Sequence, residues 1–211
     1  MRLMSSANDA QHRLSKAAPR RPERRSRSLE LVRACGLRPA DPIIDVSGAA
    51  RSLVEPLLEA GYTDVTVLDP SPVALAGLLE KLDGLNTTRL TLLGQDVTRF
   101  HPQRRYALWC DEGLFHFFHH PEERQQYVEA LEEALCPGGQ LVIATFGPEG
   151  PEEEGGAPVR RYSAASLQLE LGSRFELTEH AIAMRPSATG SPHQFLHARF
   201  IRHAPAHLGR H

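Results

Sequence analysis

The sequence is poor in cysteine and contains no long apolar segment. Its three cysteines, Cys35, Cys110 and Cys136, are odd in number, lie far apart and form no C-x-x-C pair. This pattern argues against a disulfide framework or a zinc knuckle and favours reduced thiols in the cytoplasm. Because no apolar run approaches the roughly 18 residues that a membrane span needs, we expect no membrane-embedded segment.

The composition is that of a globular chain long enough to form one domain with a full core. Of its 211 residues, 41% are hydrophobic and 24% are charged, fractions that are typical of folded proteins. The net charge of −2 makes no electrostatic case for a nucleic-acid partner.

The charge is unevenly distributed, and it divides the chain into tails and a domain. Residues 1–28 carry eight Arg or Lys against two acids, or +6, which leaves −8 for the remainder. We predict a basic, disordered tail at 1–28, a domain at 29–202 and a short tail at 203–211. The first tail could also be an arm for anionic partners, nucleic acid included, or an organellar transit peptide. Asp9 and Glu23 weaken the transit interpretation, because transit peptides avoid acids.

The stretch from Pro42 to Leu53 predicts the central feature of the fold. A short apolar run at 42–46 contains Asp45 and is followed by four small residues, Ser47-Gly48-Ala49-Ala50, and then by an amphipathic helix over about 51–60. This order predicts a buried parallel strand that ends in a tight turn, where a helix N-terminus offers free N–H groups to a ligand.

Strand and helix patterns then alternate along the chain. The alternation predicts a doubly wound α/β fold with a mostly parallel, seven-stranded sheet and right-handed crossovers. The last two strands follow each other closely, so we expect them to form an antiparallel pair at one edge. The Gly/Pro/Glu-rich segment Gly147–Pro158 is long enough to be a lid or a substrate-side insertion. The predicted strands are 42–46, 64–68, 89–93, 106–110, 140–146, 175–183 and 195–202.

Four acids stand at the ends of four successive strands: Asp45, Asp69, Asp96 and Asp111. Open α/β sheets bind their ligands at the carboxyl ends of the strands, so these carboxylates are expected to share one edge. Asp69 lies 24 residues after Asp45, at the position that suits a hold on ribose hydroxyls. Each acid alone is weak evidence, because Asp is common in turns, but the set predicts a ligand site.

Five short motifs follow one another along the chain: Ile44–Gly48, Val67–Ser71, Gly94–Val97, Tyr106–Asp111 and Leu135–Ile143. The most specific is the last, in which a Pro-Gly-Gly turn feeds a buried strand. With these motifs in this order, residues 28–202 resemble class I S-adenosylmethionine (SAM)-dependent methyltransferases. A further stretch, Asp111–Phe118, is similar to the D-R-A-V-F-H-F-L segment of a bacterial subgroup related to lysine methyltransferase-like proteins.

The resemblance implies a Rossmann-like methyltransferase fold, SAM as the cofactor, and methyl transfer to an unidentified small molecule or protein side chain. It implies that Asp69 holds the ribose and Asp96 the adenine amino group. The loop Ser47–Ala49, with Gly48 at its centre, would cradle the methionine end, and Asp45 would help to place the ammonium group. The predicted cofactor-binding set is completed by Pro70, Val97 and Asp111.

The glycine loop departs from the family pattern, because Ser47 and Ala49 flank Gly48 where the family has G-x-G. If the first of these positions had a positive φ, Ser47 would cost about 1–2 kcal/mol. The alternative function is therefore a catalytically impaired binding or interaction protein with a methyltransferase fold. A third interpretation, an NAD(P)-dependent dehydrogenase, fits the Pro-Gly-Gly turn and the antiparallel C-terminal strands less well.

Three histidines, His116, His119 and His120, have a spacing that on a helix could align imidazoles for a metal ion. However, Pro121 restricts His120 to an extended backbone, and no second ligand cluster accompanies the three, so we predict no metal site. His116 follows the fourth strand and is predicted to line the substrate pocket. The acidic run Glu152–Glu154 is interpreted as a solvated loop.

Overall fold

The structure is a computed structural model that describes residues 27–49, 51–82, 84–85, 87–186 and 191–204. The predicted basic tail at 1–28 lies outside the described residues except for its last two, and so does most of the predicted tail at 203–211.

A seven-stranded sheet has the order β3-β2-β1-β4-β5-β9-β8. Neighbouring strands from β3 to β5 are parallel, whereas β9 runs antiparallel to both β5 and β8. The predicted sheet and its antiparallel edge pair are confirmed. Two further strands, β6 and β7, form a separate hairpin. The bounds are β1 Ile43–Asp45, β2 Val65–Leu68, β3 Leu90–Leu93, β4 Tyr106–Glu112, β5 Leu135–Phe146, β6 Glu153–Glu154, β7 Ala157–Pro158, β8 Phe175–Arg185 and β9 His193–Arg202.

Helices cover both faces of the sheet, which makes the fold doubly wound. Adjacent residues of a strand point to opposite faces, so Ile43 packs into one buried cluster and Ile44 into the other. The cluster around Ile43 contains side chains from α1, α2 and α3, and the cluster around Ile44 contains side chains from α4 and α5. The helices are α1 Arg27–Ala34, α2 Val54–Glu59, α3 Pro72–Lys81, α4 Pro121–Ala134 and α5 Ala164–Leu171.

Some boundaries differ from the predictions. The helix expected over about 51–60 is shorter and begins at Val54, because the preceding residues form the loop around Asp45. Strand β4 continues to Glu112, so Asp111 lies within it and does not follow it. The Pro-Gly-Gly segment is part of β5, where the register shifts between the pairs Tyr106–Leu135 and Leu108–Gln140.

Helix α1 begins at Arg27, and Ser28 is already buried. The Ser28 hydroxyl lies 2.9 Å from Nδ1 of His197 in β9. None of the helices in the described ranges has the length and apolar character needed to cross a membrane.

Candidate functional site

The predicted acids lie at the same edge of the sheet. In the parallel register, Asp45 is opposite Val67 of β2 and Cys110 of β4. Asp69 lies two residues after Val67 and Asp111 one residue after Cys110, so both are close to Asp45 along the strand direction. Strand β3 ends at Leu93, opposite Leu68, and leads to Asp96. The carboxyl ends of four strands therefore carry the four acids, at the edge where open α/β sheets bind ligands.

Asp45 is fully buried and organises the loop that follows β1. Its carboxylate accepts hydrogen bonds from Ser47 N at 2.9 Å, Ser52 Oγ at 2.9 Å and Leu53 N at 2.6 Å, and also from Ser47 Oγ. Burial raises the pKa of Asp45, and the hydrogen bonds from Ser47, Ser52 and Leu53 oppose that rise. Asp45 therefore holds the loop and the start of α2 in place.

The first N–H groups at the start of α2 are used within the chain. Leu53 N donates to Asp45, and Val54 N donates to Ser52 Oγ at 3.0 Å. This six-residue helix begins at Val54 and not at residue 51. The binding of a ligand by the N-terminus of this helix stays a prediction.

The backbone of the small-residue loop is unstrained at Ser47. Gly48 has a φ of 79°, whereas no residue other than glycine in the described ranges has a positive φ. The left-handed position of the turn is therefore occupied by glycine, the residue that tolerates it. Ser47 Oγ donates to Asp45 and accepts from Glu112 N at 2.8 Å, so it joins the ends of β1 and β4. The strain considered for Ser47 is absent.

Asp69 connects the end of β2 to the same loop. Its two oxygens accept hydrogen bonds from Ala49 N and Ser71 N, each at 2.7 Å. Ser71 in turn caps α3 by accepting from Ala74 N at 3.2 Å. Pro70 lies between Asp69 and Ser71 in the chain. Because a carboxylate has about four acceptor positions, Asp69 retains acceptor capacity for ligand hydroxyls beside the loop.

Asp96 is half-buried and begins the short 3₁₀ turn Val97–Arg99. Its Oδ1 accepts from Thr98 N at 3.0 Å and from Thr98 Oγ1 at 2.9 Å. Val97 is buried beneath this turn. The turn holds the Asp96 carboxylate at the end of β3, as the prediction requires.

Asp111 is occupied by contacts within the protein. Its oxygens accept from Gly113 N, Leu114 N and Phe115 N at 2.9, 2.6 and 3.1 Å, and from the Tyr127 hydroxyl at 2.8 Å. Burial raises the pKa of Asp111 to about 6 against these hydrogen bonds. Four donors account for the usual capacity of a carboxylate, so Asp111 shapes the loop after β4.

His116 lies on the 3₁₀ turn Phe115–Phe117 and is fully buried. Its ring stacks beside Phe146 at 4.3 Å and Phe117 at 4.6 Å between centroids. Nδ1 has no hydrogen-bond partner among the described residues, whereas Nε2 faces the carboxylate of Glu154. Burial lowers the pKa of His116 to about 4, although the contact with Glu154 raises it, so the imidazole is neutral at pH 7.

The β6–β7 hairpin closes over His116. Glu154 Oε2 lies 3.6 Å from His116 Nε2 and 2.9 Å from the Arg51 guanidinium. Burial alone would raise the pKa of Glu154, but the contacts with His116 and Arg51 lower it to about 2. The interpretation of Glu152–Glu154 as a solvated loop is therefore wrong for Glu154, which is paired and mostly buried.

Glycine at position 113 allows Arg51 and His116 to approach the end of β4. A Cβ atom there would lie 2.8 Å from Arg51 Nη1 and 3.0 Å from His116 Cε1. The backbone φ of 103° would also strain any other residue.

A second ion pair lies beside His116. Arg185, at the end of β8, contacts Glu112 Oε2 at 2.6 Å, and its guanidinium stacks 4.6 Å from the centroid of Phe195. The other carboxylate oxygen of Glu112 is buried without a hydrogen-bond partner in the described structure. No sequence pattern assigned a role in the site to Arg51, Glu112, Glu154 or Arg185, although Glu112 lies in the stretch Asp111–Phe118.

The three histidines His116, His119 and His120 do not lie on one helix. His116 is in the 3₁₀ turn, whereas His120 immediately precedes α4, with Pro121 as the first helical residue. Within the residues that the structure describes, no group of three or more His, Cys, Asp or Glu side chains is arranged to hold a metal ion.

The order of strands and the antiparallel edge pair define the Rossmann-like fold of SAM-dependent methyltransferases. The chain is similar to the N-methyltransferase NodS from Bradyrhizobium japonicum WM9 in complex with S-adenosyl-L-homocysteine (SAH). The TM-score is 0.67 at 17% identity, over 94% of this chain and 99% of that one.

Two other solved structures share the fold. A SAM-dependent methyltransferase from Methanosarcina mazei has a TM-score of 0.66 at 16% identity, over 83% of this chain and 98% of that one. The 1,6-didemethyltoxoflavin-N1-methyltransferase from Burkholderia thailandensis, with its substrate and SAH bound, has a TM-score of 0.65 at 21% identity, over 84% and 76%. No family model and no curated protein matches the chain.

Proposed function

We propose that this protein is a SAM-dependent methyltransferase. The observation that carries the proposal is the direct contact between Asp69 and the loop Ser47–Ala49, at the carboxyl ends of β1 and β2. In the methyltransferase fold this arrangement puts a carboxylate beside a tight turn of small residues. SAM, when bound, supplies an electrophilic methyl group on a sulfonium.

The chemistry of the residues fits such a cofactor. Asp69 offers acceptor capacity for ribose hydroxyls, with Pro70 beside it, and Asp96 with Val97 offers a carboxylate and an apolar contact for the adenine. Ser47, Gly48 and Ala49 add little side-chain bulk to the turn. Asp45 and Asp111, whose oxygens accept several internal hydrogen bonds, would support the site by fixing the two loops.

In methyl transfer, the lone pair of the acceptor forms the new bond to carbon while the C–S bond breaks and its electron pair returns to sulfur. Positioning and alignment supply most of the catalysis in such an in-line displacement. We assign the acceptor side to His116, which lies beyond β4. The acceptor would be a small molecule or a protein side chain, and the similarity of Asp111–Phe118 to the lysine methyltransferase-like subgroup belongs to this proposal.

The alternative is a binding protein with an impaired cofactor site. One argument for it was strain in the loop, and the negative φ at Ser47 and Ala49 removes that argument. We also propose that the protein acts in the cytoplasm, since Cys35, Cys110 and Cys136 are all free thiols.

Calorimetry with SAM and SAH tests the proposal. We expect micromolar binding, weakened at least tenfold in Asp69→Asn because one carboxylate oxygen becomes an amide that cannot accept from ribose. The matched control is Glu80→Gln, an exposed acid on α3, which should bind like the wild type. Absence of heat at millimolar ligand with a normally folded wild type would refute the enzyme and leave the alternative.

A further inference from the structure

Two unpartnered polar atoms occur near the end of β4. They are Nδ1 of His116 and Oε1 of Glu112, both buried and without a hydrogen-bond partner among the described residues. The other ring nitrogen, Nε2 of His116, faces Glu154 Oε2 at 3.6 Å. Buried polar atoms of this kind usually have hydrogen-bond partners, and a buried polar atom without one destabilises the folded protein. An unfilled set at the acceptor side of a cofactor fold indicates a ligand that completes it.

The chemistry of these atoms selects the ligand. The Glu112 carboxylate is an acceptor only. A neutral imidazole has one donor nitrogen and one acceptor nitrogen, and because Nε2 faces the Glu154 carboxylate, the unpartnered Nδ1 is the acceptor. The nearby cations are already paired, Arg51 with Glu154 and Arg185 with Glu112. A ligand that fits these atoms therefore donates hydrogen bonds, as the N–H groups of an amine do. An anionic ligand would be repelled by the carboxylates of Glu112 and Glu154.

The walls of the site are aromatic. The centroid of the His116 ring lies 4.3, 4.6 and 6.3 Å from the ring centroids of Phe146, Phe117 and Phe195. These rings already pack against the imidazole, and an aromatic ligand would join this cluster once the hairpin has moved. The backbone contact Arg160 N to His116 O, at 2.8 Å, joins the end of the hairpin segment to the same turn.

We propose that His116 and Glu112, beside the rings of Phe117, Phe146 and Phe195, bind the amino group of a small amine that carries an aromatic ring, and that this amine is the methyl acceptor. The amino group donates hydrogen bonds to the unpartnered atoms, and the ring of the ligand lies against the three phenylalanines. Entry requires the hairpin to move, because Glu154 lies over His116. This inference rests on the proposed function and names the substrate class of its acceptor side.

The test is calorimetry of four probes with the SAH-saturated protein: benzylamine, benzyl alcohol, benzoate and n-butylamine. Benzylamine is expected to bind at least ten times more tightly than each of the others. If benzyl alcohol or benzoate binds as tightly as benzylamine or more tightly, the ligand is not selected for its amino group and the proposal is wrong. If n-butylamine binds as tightly as benzylamine, the site does not recognise an aromatic ring.

Two variants locate the binding. Glu112→Gln and His116→Phe should each weaken benzylamine at least tenfold and leave SAH affinity unchanged, since neither side chain belongs to the proposed cofactor set. His116→Phe keeps a flat ring in the core, so it is informative if Glu112→Gln fails to fold. The exposed hairpin variant Glu153→Gln is the matched control and should change nothing.

The two proposals fail separately in this design. If SAH does not bind, the methyltransferase proposal fails, and the probes are titrated into the protein alone. If SAH binds but benzylamine affinity is the same in the wild type, Glu112→Gln and His116→Phe, the amine site is wrong and the cofactor site stands.

Discussion

At the scale of single residues, Ser47 illustrates how a departure from a motif can have a structural purpose. Its hydroxyl donates to Asp45 and accepts from Glu112 N, and its side chain is 1% exposed. A glycine would leave the Glu112 N–H without this acceptor and would enlarge the conformational freedom of the unfolded chain. The serine thus stabilises the junction of β1 and β4.

Replacing Ser47 by glycine should therefore destabilise the protein and not improve cofactor binding. We expect Ser47→Gly to lower the free energy of unfolding by about 1–3 kcal/mol, the usual cost of a buried unpaired group. Urea denaturation followed by circular dichroism measures the change. Ala49→Gly is the control and should lower stability by roughly 0.5–1 kcal/mol, because it removes no side-chain hydrogen bond. Higher stability or tighter SAH binding in Ser47→Gly would contradict this account.

At the scale of elements, the β6–β7 hairpin is the part that covers the candidate acceptor site. It has only two paired residues on each strand, so its own ladder contributes little. It is attached by the ion pair between Glu154 and Arg51, whose side chains are 18% and 23% exposed, and by the backbone hydrogen bond from Arg160 N to His116 O. Since Arg51 follows the loop Ser47–Ala49 in the chain, the same pair connects the hairpin to the proposed cofactor loop.

Removing the charge of Glu154 should loosen the hairpin without unfolding the domain. In Glu154→Gln we expect amide hydrogen exchange at residues 153–158 to accelerate roughly fivefold, which corresponds to the loss of about 1 kcal/mol for a partly exposed ion pair. Glu153→Gln, on the exposed side of the same strand, should exchange like the wild type. Uniform acceleration over the whole sheet would instead indicate global destabilisation.

At the scale of the whole molecule, buried imidazoles make stability depend on pH. Burial lowers the pKa of His116 to about 4 and of His197 to about 3, with nearby arginines acting in the same direction. Between these values and about 6.5 the unfolded chain binds more protons than the folded one, so stability is lost as the pH falls. Asp111 acts oppositely, because its pKa is raised to about 6, and it offsets part of the loss.

We therefore expect the free energy of unfolding to decrease between pH 7 and pH 5. His197 accounts for roughly 2 kcal/mol of that decrease, from its pKa shift. His197→Asn, which cannot be protonated in this range, should reduce the decrease by that amount. Denaturant titrations at both pH values measure it, and the exposed His101→Asn is the control. The same decrease in both variants would show that His197 is not the titrating group.

The sequence by itself determined the alternation of strands and helices, the antiparallel edge pair and the ordering of the four acids, because hydrophobic period and turn chemistry are local properties. It could place Asp69 and Asp96 at strand ends but could not tell which acids the protein uses internally. Only the tertiary structure decided that Asp45 and Asp111 are occupied by loop hydrogen bonds, and that the left-handed position of the turn is Gly48.

The tertiary structure alone also brought together the residues of the proposed acceptor side. Glu112 and Arg185 are 73 residues apart, and Glu154 reaches both Arg51 and His116 across the sheet edge. No periodicity connects such residues, since their meeting depends on strand order, register and the way the hairpin folds back. Local patterns specify which elements form, and the packing of those elements specifies which side chains face one another.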